Sequence, residues 1–350
     1  MLYARFRLLF SVVTFGLASI GATSAMAQAA ADFYAAKPTM RLIVSSTPGG
    51  GYDLFGRLVA RYMTRYLPGN PQIVVQNMPG GGGITAANYL YNVAPKDGTL
   101  FGLIDRGIPT AELLYGPDSK SQFDIKQFNW LGSISKEIGV GVIATRAPAH
   151  TVNEFKTKEV VFGSNGLETD SAMYSRLFNS LLGTKLKVVA GYPGQTEYLL
   201  AMTRGETDGL FMSGWSGPNR ATVLREFQAG QARFFAQMTT TPNPDFGDTP
   251  TIMDLVKDPK DREIVKILLS RLDLGRPFLA PPGVAADRIA ALRAAFKKSA
   301  QDPEMIQEAV QSGNSVDPIF GDEAQAMILS LLATPPETVA RMQAIVRIQR

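Results

Sequence analysis

The chain has 350 residues, 35 of them Lys or Arg against 31 Asp or Glu, with 45% hydrophobic content and no cysteine. That is enough apolar material for two lobes of one α/β protein, held by its core alone. The lack of cysteine and the single histidine, His150, exclude a thiol nucleophile, a Cys/His zinc site and a His-based triad. No Lys/Arg block with interleaved aromatics supplies a nucleic-acid footprint.

Taken in chain order, Arg5 and Arg7 precede an apolar run over 8–22, and Ala25-Met26-Ala27 supplies small residues before a cleavage point. The pattern predicts a secretory signal peptide over 1–27, Gln28 as the first mature residue, and export to a periplasm. The run is about fifteen residues, short of the roughly twenty a membrane span needs.

A β-rich stretch at 41–45 then runs into Ser46-Thr-Pro-Gly-Gly-Gly-Tyr-Asp53, and an amphipathic stretch leaves it over 54–67. The design repeats at once: strand 72–76, loop Asn77-Met-Pro-Gly-Gly-Gly-Gly83, helix 84–93. In such loops backbone N–H groups converge and the helix start adds partial positive charge, so an anionic oxygen is favoured. Neither glycine run continues into the Lys-Ser/Thr of a nucleotide loop. A dinucleotide fingerprint forced onto Gly49, Gly51 and Gly56 meets a turn, Pro68-Gly-Asn-Pro71, where its acidic residue should stand.

A third strand at 99–104 ends in Asp105-Arg106-Gly107 at the same sheet edge. Arg106 there either pairs with a ligand carboxylate by two parallel hydrogen bonds or pairs with Asp105 or Asp53. His150 lies beside Pro148 just before a helix pattern, a turn or capping position. The apolar stretch 138–145 leads into a second βαβ pattern. It has strands at 159–162, 185–190 and 205–212, with polar turns at 163–170 and 191–196 and helices at 171–182 and 197–204. Trp215 follows, either stacking on an aromatic ligand or packing a hinge. A strand at 232–239 returns the chain to helices over 261–272, 286–300 and 303–313, and to a tail broken at Pro335-Pro336. Two lobes with loop edges facing each other form a cleft that closes on a small anion. The expected organisation is lobe 1 from 38–140 plus 241–350, and lobe 2 from 141–240.

Several segments together resemble a known family. Ile43-Val-Ser-Ser-Thr-Pro-Gly-Gly-Gly-Tyr-Asp53, Val74-Val-Gln-Asn-Met-Pro-Gly-Gly-Gly-Gly83 and Ala94-Pro-Lys-Asp-Gly-Thr-Leu100 resemble the N-terminal signature of the periplasmic solute receptors of tripartite tricarboxylate transporters, the Bug-type receptors. Gly205-Glu-Thr-Asp208, Thr249-Pro-Thr-Ile252 and Phe278-Leu-Ala-Pro-Pro-Gly283 fit its later landmarks. The resemblance implies a type II periplasmic-binding fold, two α/β lobes joined by two crossing strands with the ligand cleft between them. It further implies a small organic carboxylate as ligand, integral-membrane permease subunits as partner, and no cofactor, metal or catalysis; a cleft that closes needs free lobes, which favours a monomer. A periplasmic sensor that signals to a membrane kinase is the alternative use of the same cleft. Carried over by motif, the first-lobe contacts fall on Pro48, Gly49, Gly50, Tyr52 and Asp53, with Asn77, Gly80 and Gly81 shaping the wall. The second-lobe contacts fall on Ser164, Asn165, Asp170 and Thr196. The second-lobe loop departs from the family's Ser/Gly-rich pattern by carrying Glu168 and Asp170, which either cap the next helix or meet a ligand amine or hydroxyl.

Overall fold

The computed structural model describes residues 28–217 and 219–347; the signal-peptide reading lies outside the described residues. Strand β1 (Thr39–Val44) is the heart of the first sheet, with β2 (Gln72–Asn77) and β3 (Leu100–Leu103) parallel to it on either side. Its alternation decides the layering. Leu42 and Val44 pack with Phe55, Val59 and Met63 of helix α1 (Gly51–Tyr66), whereas Ile43 joins Leu90, Ile104 and Trp130 in a separate apolar cluster. Helix α1 lies close on β1 because Gly56 has no side chain; a Cβ there would stand 2.9 Å from Val44 Cγ2. Helix α2 (Ile84–Asn92) follows β2, and α3 (Ile108–Tyr115) follows β3.

Three strands of this sheet escape the sequence pattern: β4 (Asn129–Ser133), β10 (Pro277–Ala280) and β11 (Ile319–Phe320), which complete the order β11-β4-β10-β3-β1-β2. Each is short, and β4 contains Gly132 at φ 141°, a conformation that β-propensity disfavours. Strand β10 runs antiparallel to both of its neighbours, so later chain is threaded into the middle of an earlier sheet.

The second sheet has the order β7-β6-β8-β5-β9, from β5 (Gly139–Ala144), β6 (Val160–Ser164), β7 (Leu186–Ala190), β8 (Gly209–Met212) and β9 (Ala232–Met238). Strands β7, β6 and β8 are parallel; β5 is antiparallel to β8 and β9. An aromatic core of Phe155, Phe162, Phe178, Phe211 and Phe235 packs one face beneath α4 (Asp170–Leu182), with edge-on ring pairs such as Phe155–Phe235 at 5.1 Å. The other face carries Val140, Tyr198, Leu210 and Trp215 beside α5 (Gln195–Arg204) and α6 (Asn219–Gln228). The C-terminal third serves both lobes. Helices α7 (Pro259–Ser270) and α11 (Pro336–Val346) add Val265, Leu268, Met342 and Val346 to the aromatic core of the second sheet. Helix α8 (Ala286–Ala300) packs Leu292 and Phe296 beside α1, with α9 (Pro303–Gln311) and α10 (Gly321–Leu332) completing the order. Among the described residues no helix is long and apolar enough to cross a membrane.

Candidate functional site

The strand ends and helix starts of the two sheets face each other across a cavity of about 380 Å³. Four helices begin on it: α1, whose first residues Gly51 and Tyr52 line it, α2 after Gly83, α4 at Asp170, and α5 at Gln195. Their N-cap residues, Gly50, Gly83, Thr169 and Gly194, make no side-chain cap hydrogen bond. The first N–H groups of each helix thus receive no acceptor from an N-cap side chain. Gly80 to Gly83 have φ of 134°, 54°, 61° and 99°, a path that only successive glycines follow without strain. The first internal hydrogen bond of this turn is Gly83 N–H to Gly80 C=O at 2.9 Å, so the amides of Gly81 and Gly82 precede it. Beside the turn, Ser45 is 7% exposed, lines the cavity, and its Oγ has no hydrogen-bond partner.

The lobes touch at two rims. A Cβ on Gly82 would stand 2.8 Å from Thr169 Cγ2, and one on Gly194 would stand 3.0 Å from Thr47 Oγ1. The cleft is thus closed, with glycine on each side of the seam.

A buried ionic cluster forms the floor. Arg106 donates from Nε to Asp170 Oδ2 at 2.6 Å, from Nη1 to Gly275 O at 2.9 Å and from Nη2 to Ser213 Oγ at 3.2 Å. Arg271 reaches the other oxygen of Asp170 at 2.9 Å. Burial pushes the Asp170 carboxyl up, and Arg271 and Arg106 more than reverse it, holding it below the ordinary aspartate value. Asp105 is pushed the other way: burial raises it, although Arg106 opposes the shift and Gly107 N–H donates to it at 2.8 Å. Arg276 pairs with Glu137 and donates from Nη1 to Ser135 Oγ at 2.7 Å and Ser216 Oγ at 2.9 Å. Arg106 and Arg271 thus share Asp170, and Arg276 pairs with Glu137, a desolvated set in which each guanidinium has a carboxylate partner.

The structure divides the residues singled out from the sequence. Gly50, Tyr52, Gly80, Gly81, Arg106, Asn165, Asp170 and Thr196 line the cavity. Pro48 and Gly49 are exposed beside it. Asp53 and Asn77 sit behind the first loop and hold its shape: Asp53 accepts from Gly49 N–H at 2.9 Å, Arg57 Nε at 3.1 Å and Asn77 Nδ2 at 2.9 Å, and Asn77 Nδ2 also donates to Ser46 O. Burial raises the Asp53 carboxyl, and the hydrogen bonds from Arg57, Gly49 and Asn77 bring it below its ordinary value. Ser164 is buried under the second-lobe loop, its Oγ within 2.8 Å of Ser171 Oγ. Trp215 packs on Phe246 and Phe234 and donates from Nε1 to Asp245 at 2.7 Å, away from the cavity lining. His150 donates its backbone N–H to Glu154 within the capping box of Thr151, a turn role. Glu168 precedes the N-cap Thr169, so it caps nothing; its carboxyl is raised by burial. Among the described residues no cluster could hold a metal ion.

Sequence reasoning missed Ser45, Glu137, Arg271 and Arg276. A signal existed for two of them: Arg276 interrupts the apolar stretch Leu274-Gly-Arg-Pro-Phe278, and Glu137 stands just before the apolar strand at 139–144. Isolated charges in buried segments need partners.

The receptor model of the tripartite tricarboxylate transporter family matches residues 56–349. A protein of Cupriavidus necator, "UPF0065 protein in gbd 5'region", is 25% identical over 293 residues, spanning 82% of this chain and 81% of the relative. An Agrobacterium vitis protein from the ttuE-ttuC' intergenic region is 26% identical over 81% of this chain and 77% of the relative. Among solved structures, the periplasmic binding protein BugD superposes with a TM-score of 0.68 at 17% identity, over 88% of this chain and 97% of its own. MatC of Rhodopseudomonas palustris with bound malate superposes with 0.66 at 19% identity, over 88% and 99%. R. palustris Rpa4515 with adipate gives 0.67 at 18%, over 87% and 97%. These likenesses match the two-lobed periplasmic-binding fold, and the family match covers most of the chain: it belongs to the tripartite tricarboxylate transporter family receptors.

Proposed function

We propose that this receptor captures a small organic carboxylate in the interlobe cleft and delivers it to the integral-membrane permease of a tripartite transporter. The protein works as a monomer, without cofactor, after export to the periplasm and removal of residues 1–27. The observation that carries the reading is the convergence of four helix starts without side-chain caps on one cavity that also holds the unpartnered Ser45 Oγ. A carboxylate supplies the acceptors that these N–H groups and this hydroxyl lack. Gly50, Tyr52, Gly80, Gly81, Asn165 and Thr196 are the contacts, and Asp53 and Asn77 keep the first loop in shape. Asp170 is already neutralised by two arginines, so it offers nothing to a ligand amine. The malate and adipate bound by structural relatives agree with this ligand class.

A thermal-shift screen against carboxylates, amino acids and uncharged sugars tests the reading. Binding to the folded state alone raises the melting temperature. Stabilisation confined to carboxylates is expected; stabilisation by sugars alone, with none by any carboxylate, refutes it.

A further inference from the structure

We propose that Asp105 meets the ligand as an un-ionised acid that donates a hydrogen bond to its carboxylate, so that capture takes up one proton from solvent. The inference rests on the carboxylate reading above and adds to it the protonation state in which the cleft binds. The chain leaves β1 as Ser45 and the neighbouring β3 as Ile104-Asp105, with Ser45 N–H donating to Leu103 O at 3.0 Å. Ser45 and Asp105 both line the cavity. Gly83, at the start of α2, lies between them: a Cβ there would stand 3.0 Å from Asp105 Cβ and 3.4 Å from Ser45 Oγ. The unpartnered hydroxyl and the glycine turn that suit a carboxylate are therefore within one side chain of an acid. Where two carboxylates share a site, one of them takes a proton.

The surrounding groups decide which acid does so. Arg106 Nε and Arg271 Nε both bind Asp170, at 2.6 and 2.9 Å, and hold it ionised. Asp105 is half-buried and accepts Gly107 N–H on Oδ1 at 2.8 Å, a neutral donor rather than a cation. Facing it are Arg106 beside it, Arg271 from the turn after α7, Asp170 and Tyr174 from α4, Tyr52 from α1 and Tyr198 from α5. Burial holds the three tyrosines above the ordinary phenol value, so they do not titrate near neutral pH. Two guanidinium groups and two carboxyl groups balance on this wall, and a ligand carboxylate adds one negative charge. Asp105, already raised by burial, is the group that neutralises it, and on protonation it turns from acceptor to donor. The sign follows. Bound ligand raises the Asp105 value above that of the free cleft, so affinity is greatest below the free value and is lost as pH rises through the bound one.

The test is calorimetric titration of the full mature chain with lactate, malate, adipate and benzoate at pH 6, 7 and 8, each in two buffers of different ionisation enthalpy, which reads proton uptake directly. The tightest of these ligands is expected to take up about one proton on binding and to bind about tenfold more tightly at pH 6 than at pH 8. Asp105→Asn keeps an acceptor for Gly107 N–H and puts a fixed donor in place of the acid. It abolishes both the uptake and the pH dependence, and it binds about tenfold more tightly than the parent chain at pH 8. Asp105→Ser, which supplies a hydroxyl, behaves in the same way should the Asn variant not fold. Uptake by the ligand's own carboxyl persists in both variants and is told apart by them. No uptake in the parent chain, uptake that persists in the variants, or loss of binding in the variants at every pH overturns the assignment of Asp105 and leaves the carboxylate reading standing. Failure of every carboxylate to bind the parent chain at any of the three pH values overturns both.

Discussion

Helix starts around the cavity and helix starts on the periphery are built differently. At the periphery Thr151, Thr251, Asp258 and Asp302 accept hydrogen bonds from the first turns of their helices, and Thr151 and Thr251 complete capping boxes. At the cavity Gly50, Gly83, Thr169 and Gly194 accept none. A missing cap alone means little, since the N-caps Ala285, Phe320 and Pro335 also lack one. What differs is convergence: four uncapped starts share one enclosed volume. The periphery satisfies its donors with N-cap side chains, whereas the starts at the cavity have no such cap and forgo the stability one adds. Ion pairs follow the same division. Arg61–Glu308 and Arg65–Glu304 are exposed and contribute little, while Arg106–Asp170 and Arg276–Glu137 are buried and intolerant of losing one member.

The largest expected effect breaks the ionic side of this contrast. Asp170→Ala leaves Arg106 and Arg271 facing each other without a carboxylate, and should cost about 3–5 kcal/mol; Glu304→Ala should cost at most about 1 kcal/mol. Urea unfolding of the two variants measures the difference, and equal midpoints contradict it. Next, Gly50→Asp converts a cavity start into a peripheral one. Gly50 has φ −77° and ψ 168°, with no atom closer than 3.6 Å to an added Cβ, so the side chain is accommodated. The variant should gain a few tenths of a kcal/mol, about 0.3, and bind its carboxylate about tenfold more weakly, roughly 1.4 kcal/mol; equal affinity by calorimetry removes the α1 start from the site. Thr251→Ala works in the opposite sense, with a loss of about 1 kcal/mol in stability and no change in affinity.

The smallest effect concerns Asp53, whose carboxylate caps the first loop from behind. Its folded value lies below its ordinary one, so its contribution is fully present above the unfolded value of about 3.9 and is lost as pH falls through the folded value. Urea midpoints taken from neutral pH to below about pH 4 should fall less steeply for Asp53→Asn than for the parent chain. Parallel curves would show that Asp53 has no part in acid lability.

The strand, glycine loop and helix repeats at 46–53 and 77–83 were legible because glycine runs and period-two apolar stretches are local signals. They suffice to place two glycine loops at one edge of the first sheet, and the pattern over 159–212 gives the βαβ order of the second. The division of labour inside that edge was not legible. Asp53 shares its motif with Gly50 and Tyr52, and Asn77 shares its own with Gly80 and Gly81, yet both turn to the back of the first loop and bind Gly49 and Ser46. Asp170, an acid in the cavity lining, is neutral in effect only because Arg106 and Arg271 reach it from 64 and 101 positions away.

By itself the sequence determined the repeated strand, loop and helix units, because their periodicity and turn chemistry act within a few residues of chain. Only the tertiary structure decided which donors stay free. Strand β10 enters the first sheet between β3 and β4 and brings Arg276 to the cavity floor, and the closed seam at Gly82 and Gly194 sets the enclosed volume. The physical reason is that a charge or an amide is free or spent according to its neighbours in space, and those neighbours lie far along the chain.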